Sequence, residues 1–195
     1  MRRLIVLEHV SLDGFLAGPD GEMDWIRGVD QDAMWEYVNP IAKSADAAVF
    51  GRVTYSMMES YWPTAGDQPN ASRHDIEHSQ WLNRATKLLV SKSLSSAKWG
   101  DSDSARIVRD VAELGPIKQQ NGGDLLLIGS ASVARECIAL GLVDELRINV
   151  NPVILGGGTS LFPQLQTPSS LRLVASHNLP DGVVGLHYVA ERGVA

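Results

Sequence analysis

The segment Ala48–Met58, AVFGRVTYSMM, decides how the chain is read. A short apolar run ends at Gly51, an arginine and a hydroxyl follow as Arg52 and Thr54, and the next residues suit a helix. That is the profile of a buried strand leaving a sheet into a helix, with anion-binding groups at the exit.

Similar apolar runs recur: RLIVLEHV at Arg3–Val10, AAVF from Ala47, KLLVS from Lys87, DLLLIG from Asp124 and ELRINV from Glu145. Each suits a strand covered on both faces, and helical patterns separate several of them. This alternation predicts an α/β fold with a mainly parallel sheet. Near the end, SLRLVASHNL and VVGLHYVAE flank Pro180-Asp181-Gly182, so an antiparallel C-terminal hairpin is expected.

Helix ends follow from local chemistry. In DSDSARIVRDVAELGP, Asp103 or Ser104 serves as the cap, Ile107, Val108, Val111 and Leu114 form one face, and Gly115-Pro116 stops the helix. In GSASVARECIALGL, Val133, Cys137 and Leu140 share a face and Gly141 ends the helix, which makes Cys137 a small core residue rather than a nucleophile. TAGDQPNASRHD is the least ordered-looking interior segment.

With 195 residues and 44% hydrophobic content, the chain suits one core, read as a single domain over 1–191 with a short tail at 192–195. Seventeen basic against 23 acidic residues give a net charge of -6, which provides no global field for nucleic acid. The lone Cys137 forms no intramolecular disulfide, and MRRLIVLEHVSLDGF reaches charged residues before any secretory or membrane-spanning length, so a cytoplasmic protein is expected.

Three strand exits suit a phosphate-bearing ligand, because helix N-termini beyond the carboxyl ends of strands offer unpaired N–H groups. The first is Gly51-Arg52-Val53-Thr54, the second Ser91-Lys92-Ser93, and the third Ile128-Gly129-Ser130-Ala131-Ser132-Val133. Ordinary strand ends and helix caps use the same residues, so it is their combination in an acidic chain that points to a local anion site. Neither a Walker loop nor G-x-G-x-x-G follows any strand, which argues against a nucleoside triphosphatase or a Rossmann site. The Gly156–Gly158 run in LGGGTS fits neither pattern and reads as a mobile loop bordering the site.

SLDGFLAGPDG, FGRVTYSMM, KLLVSKSL, LLLIGSASV and GLVDELRINVNPVILGGGTSLFP together resemble the RibD C-terminal, dihydrofolate-reductase-like family over most of the chain. The resemblance implies a three-layer fold, NADPH as cofactor, and hydride transfer to a small pyrimidine- or pterin-like substrate, as in the riboflavin-pathway reductase, often in a homodimer. It places Arg52 and Thr54 on cofactor phosphates, Ser91 and Lys92 near the adenosine 2′-phosphate, and Gly129–Val133 around the pyrophosphate. Ser130 stands where the family has a second glycine, which bears on how closely the backbone approaches.

The resemblance also gives three catalytic candidates. Asp32 stands like the pterin-binding carboxylate of dihydrofolate reductase; its other reading is the cap of the helix holding Met34, Tyr37, Val38 and Ile41, with Asp30 as the alternative cap. Asp13, in the S-x-D-G that follows the first strand, is expected near substrate or nicotinamide, under a loop formed by SLDGFLAGPDGEMDW. Asn149 is expected to face the substrate ring, or else to satisfy backbone groups at a strand end.

HDIEH at His74–His78 matches a zinc-peptidase string, but its surroundings read as a solvated helix with Ile76 and Trp81 or Leu82 turned inward, so no metal is expected. The alternatives to a reductase of this class are a non-catalytic NADP-binding protein on the same scaffold and a true dihydrofolate reductase. No H-x-E with P-C-x-x-C occurs, so the deaminase that accompanies the bifunctional riboflavin-pathway enzyme has no signature in this sequence. VNPVILGGGTSLF is the segment expected at a dimer contact.

Overall fold

The computed structural model describes residues 1–102, 105–162 and 168–191, with residues 27 and 28 as backbone alone. In chain order its elements are β1 (Leu4–Ser11), β2 (Phe15–Ala17), α1 (Gln31–Ser44), β3 (Ala45–Gly51), α2 (Arg52–Glu59), α3 (Trp62–Ala65), α4 (Arg73–Arg84) and β4 (Thr86–Val90). There follow β5 (Ala105–Val108), α5 (Leu114–Lys118), β6 (Asp124–Ile128), α6 (Ala131–Ala139), β7 (Glu145–Asn151), β8 (Thr159–Ser160), β9 (Leu171–Asn178) and β10 (Val184–Ala190).

Eight strands form one sheet in the order β5-β4-β3-β6-β1-β7-β10-β9, and β2 pairs with β8 apart from it. The run from β5 to β7 is parallel. β10 is antiparallel to both β7 and β9, which is the expected terminal hairpin.

Alternation along the strands makes the layers. Leu4, Val6 and Val10 of β1 pack with Leu125, Leu127, Leu114, Ile117, Val133 and Cys137, the α5 and α6 side. Ile5 and Leu7 pack with Leu126, Met34, Trp35, Trp81 and Leu82, the α1 and α4 side. Helices therefore cover both faces, as a parallel sheet requires.

At the amino ends of the strands, Arg3 reaches Asp124 and Glu145, each at 2.5 Å, and Lys118 reaches Asp144 at 2.5 Å. Opposite charges thus close that end of the sheet, and the carboxyl ends remain for a ligand.

Several sequence expectations give way here. The helix expected across DSDSARIVRDVAELGP is instead strand β5, a 3-10 turn at Val111–Glu113 and the short α5. The expected caps, Asp103 and Ser104, lie outside the described residues, as do residues 192–195 of the expected tail. Asp110 caps the turn by accepting from the Ala112 N–H at 2.8 Å, and Gly115-Pro116 sits inside α5, where a first-turn proline lacks only an N–H that would have had no partner. Leu140, expected on the core face of α6, is 49% exposed because the helix has already ended.

At α1 it is Asp30 that caps, accepting from the Ala33 N–H at 3.1 Å. α4 opens with a reciprocal capping box between Ser72 and Asp75. Its inward face also differs from expectation: Trp81, Leu82 and His78 are buried, whereas Ile76 is exposed. Among the described residues no helix is long and apolar enough to cross a membrane.

Candidate functional site

Beyond the carboxyl ends of β4, β3, β6 and β1 lies a cleft of about 820 Å³. All three predicted strand exits open into it: Gly51–Thr54, Ser91–Ser93 and Ile128–Val133 line the same space. Segments some 40 residues apart in sequence meet because β3 pairs with β4 on one side and β6 on the other.

Gly51 has an ordinary extended conformation, φ -84°, so freedom of rotation is not why it is glycine. A Cβ there would lie 3.2 Å from Val133 Cγ2 and 3.5 Å from Ser130 Cβ, so its bareness lets α6 approach β3. Its N–H donates to Ser130 Oγ at 2.8 Å and is therefore not free for a phosphate, so at this exit the groups left for an anion are those of Arg52 and Thr54. Gly129 needs glycine on two counts: φ is +60°, and a Cβ would meet Thr54 Cγ2 at 3.0 Å. Ser130 holds φ +65° without being glycine, so it adopts the left-handed turn and adds a hydroxyl that links two exits.

Neither α2 nor α6 has a side-chain cap. The first-turn N–H groups of both helices lack acceptors within their own helix, and the positive ends of both helix dipoles face the cleft. Among the described residues neither Arg52 nor Lys92 forms a side-chain hydrogen bond or ion pair. Ser91 is buried, and its hydroxyl accepts from the Leu94 N–H at 3.2 Å. Uncapped helix starts and two cations without described partners give this half of the cleft a positive character.

The other half is aromatic. Trp35 stacks on His78 with ring centroids 4.8 Å apart, and Trp62 lies 4.2 Å from the same imidazole. His74 Nε2 is 3.1 Å from His78 Nδ1, and the Trp35 indole donates to Glu77 Oε2 at 2.9 Å. Burial drives the His78 pKa well below its ordinary value, with the charge of His74 adding to the effect. His9, also on the wall, is pushed down to about 4 for the same reasons. Both are neutral imidazoles at neutral pH.

Glu8 joins this wall from the α6 side of β1, the side of Val6 and Val10. It is 2% exposed, and its Oε1 has no hydrogen-bond partner among the described residues. Burial raises its pKa well above the usual carboxylate range, against a smaller opposing pull from the Gly129 N–H.

The three expected catalytic residues stand outside the lining of the cleft. Asp32 Oδ1 accepts from the His74 N–H at 2.7 Å, so it caps α4 across a helix pair and not its own helix. Asp13 is exposed and ties the rim together: it accepts from Ser11 Oγ at 2.6 Å and from the Leu155 and Gly156 N–H groups at 3.1 and 2.7 Å. Those bonds, led by Ser11, hold its pKa below the ordinary value. Asn149 is fully buried behind His9, with Nδ2 3.3 Å from His9 Nε2.

The glycine run is anchored where a mobile loop was expected. Gly156 is held by Asp13, and Gly158, φ +126°, passes so close to the Ala17 carbonyl that a Cβ would sit 2.1 Å from its oxygen. Thr159 then pairs with Ala17, and both line the cleft.

Reading the sequence missed Glu8, His9 and the imidazole–indole wall. A signal for Glu8 was present, because a carboxylate inside an apolar run with both faces covered has to be explained. HDIEH drew notice for its spacing, yet its two histidines serve the cleft. No group of three or more metal-binding side chains occurs among the described residues.

Comparison with known proteins places this geometry in context. The family model described as the RibD C-terminal domain matches residues 2–185. The uncharacterized protein YyaP of Bacillus subtilis (strain 168) is 32% identical over 192 residues, covering 96% of this chain and 94% of its own. Among solved structures, a putative riboflavin biosynthesis protein from Shewanella sp. PV-4 superposes with a TM-score of 0.74 at 23% identity, over 97% of this chain and 99% of that one. A diaminohydroxyphosphoribosylaminopyrimidine deaminase/5-amino-6-(5-phosphoribosylamino)uracil reductase from Thermotoga maritima gives 0.67 at 13% identity, and the match spans 57% of its length.

Proposed function

Because the chain belongs to the RibD C-terminal domain family, we propose that it is an NADPH-dependent reductase acting on a small pyrimidine- or pterin-like ring. The observation that carries this reading is the convergence of three strand exits and two uncapped helix N-termini on one cleft that also holds two cations, Arg52 and Lys92, unpaired among the described residues. Oriented N–H groups and free cations favour a ligand with several negative charges. The cleft volume of about 820 Å³ lies in the range of cofactor sites.

In this reading Lys92 and Ser91 hold the 2′-phosphate at the β4 exit, and Arg52, Thr54 and the first turn of α6 hold the pyrophosphate. The cofactor supplies the hydride; the chain seats it, orients the acceptor and keeps water out. The Trp35–His78 stack and Met34 offer a planar ring an apolar face. His9, neutral and on the same wall, offers a hydrogen bond that fixes the ring's orientation. The reading includes a homodimer, for which exposed Ile154 and Phe162 provide apolar surface and sedimentation velocity is the test.

Calorimetric titration with NADPH and NADH tests the cofactor, and tight binding of NADPH over NADH is the expected result. Absence of NADPH binding overturns the reading. Loss of NADPH absorbance is then followed with dihydrofolate, the phosphoribosylamino-uracil ring named for the Thermotoga maritima protein, and small quinoid or carbonyl acceptors.

A further inference from the structure

We infer that Glu8 holds the uncharged end of the dinucleotide, its carboxyl group pairing with the primary carboxamide of the nicotinamide ring. The inference rests on the cofactor reading above.

The first support is an unmet need. Glu8 lines the cleft at 2% exposure with Oε1 unpartnered among the described residues. A buried polar oxygen without a partner costs stability unless a ligand supplies one.

Position gives the second support. The anion-binding groups stand at the exits of β4, β3 and β6, and β1 is the next strand in that order. Neighbouring strands lie about 4.8 Å apart, so β1 is roughly 14 Å from β4. A dinucleotide with its 2′-phosphate at Lys92 and its pyrophosphate between α2 and α6 carries its second ring onto β1. Leu16 and Val133, which also line the cleft, belong to the core cluster on Glu8's face of β1.

Chemistry gives the third. A protonated carboxyl donates one hydrogen bond and accepts another, and a primary carboxamide accepts through oxygen and donates through nitrogen. The two close a pair of hydrogen bonds without burying a net charge. The protonated form is favoured because burial raises the Glu8 pKa and nothing cationic opposes it. The other titratable groups that line the cleft are His9 on β1, itself neutral, Arg135 and Glu136 on α6, His74 and His78 on α4, and Arg52 and Lys92 at the two strand exits; the lining residues of β2, β6 and β8 are not titratable. Arg135 is occupied, donating to the Ser160 carbonyl at 2.9 Å.

The test uses the full chain and two probes, NADPH and 2′-phospho-ADP-ribose, which carries the same phosphates without nicotinamide. In calorimetry, Glu8→Leu is expected to weaken NADPH about 10- to 100-fold and leave the fragment within about twofold. Glu8→Gln, which keeps a donor and an acceptor, should retain most of the affinity. In the wild type, NADPH affinity should fall as pH rises through the titration of Glu8, while Glu8→Gln and the fragment stay flat.

Unchanged NADPH affinity in Glu8→Leu, or equal loss for both probes, overturns the inference while the cofactor reading stands. If neither probe binds the wild type, the cofactor reading itself falls. Circular dichroism on both variants separates misfolding from lost recognition.

Discussion

Asn149 Nδ2 lies 3.3 Å from His9 Nε2, so the residue expected to face a substrate ring instead sets the proton on a residue that lines the cleft. An amide N–H directed at Nε2 makes that nitrogen the acceptor and leaves the imidazole proton on Nδ1, which is buried without a described partner. Long-range nitrogen–proton NMR should therefore find His9 as the Nδ1–H tautomer. Asn149→Asp, which presents only acceptors, should shift it to Nε2–H; the same tautomer in both proteins would remove Asn149 from this role.

His9 also predicts how the fold responds to acid. Its pKa is depressed from 6.5 to about 4, so between those values the unfolded chain binds a proton that the native chain refuses. Stability is fully present above about 6.5 and declines as pH falls toward 4, by on the order of 3 kcal/mol for this one group. His78 acts in the same direction. Urea titrations across that window should show the loss, and His9→Gln should flatten part of it. A profile level from neutrality to pH 4 would count against the buried neutral imidazole.

Arg52→Ala and Lys92→Ala test the anion half. Each removes a cation that bonds to no described residue, so the melting temperature should hold. NADPH affinity should drop about 10-fold or more, whereas the Lys92 change should leave NADH nearly unaffected. Equal losses for both nucleotides would place Lys92 away from the 2′-phosphate.

Ser130 separates strain from hydrogen bonding. Ser130→Ala keeps a side chain at φ +65° and orphans the Gly51 N–H, so about 1–2 kcal/mol should be lost in chemical denaturation. Ser130→Gly loses the same bond but relieves the backbone, and should cost less. A reversal of that order would mean that the left-handed backbone carries no strain here, and no loss in either variant would mean that the hydroxyl does not matter.

Asp32→Ala should cost about 1 kcal/mol by removing the acceptor for the His74 N–H at the start of α4. NADPH affinity should stay the same, since Asp32 lies outside the cleft lining. A large loss of affinity with intact stability would return Asp32 to the site.

The central strands were legible because each is a short apolar run bounded by glycine or charge, and a parallel sheet forces that pattern. The exits were legible because glycine, serine and cations at strand ends are local signals. The β5 region was not. Ile107 and Val108 satisfy a helical stripe as well as a strand, and pairing with β4, a long-range event, decides between them. Glu8 was hidden for the opposite reason: with His9 it interrupts a strand whose other residues from Leu4 to Val10 belong to the core. The imidazole wall depends on how α1, α3 and α4 meet, which no single segment encodes.

Asp13 has a kinetic consequence. One carboxylate staples the segment after β1 to the segment after β7, and the β2–β8 pair seams them a second time. Separating those two stretches of rim would require both fastenings to break, so the Leu155 and Gly156 amide protons are expected to exchange with solvent together.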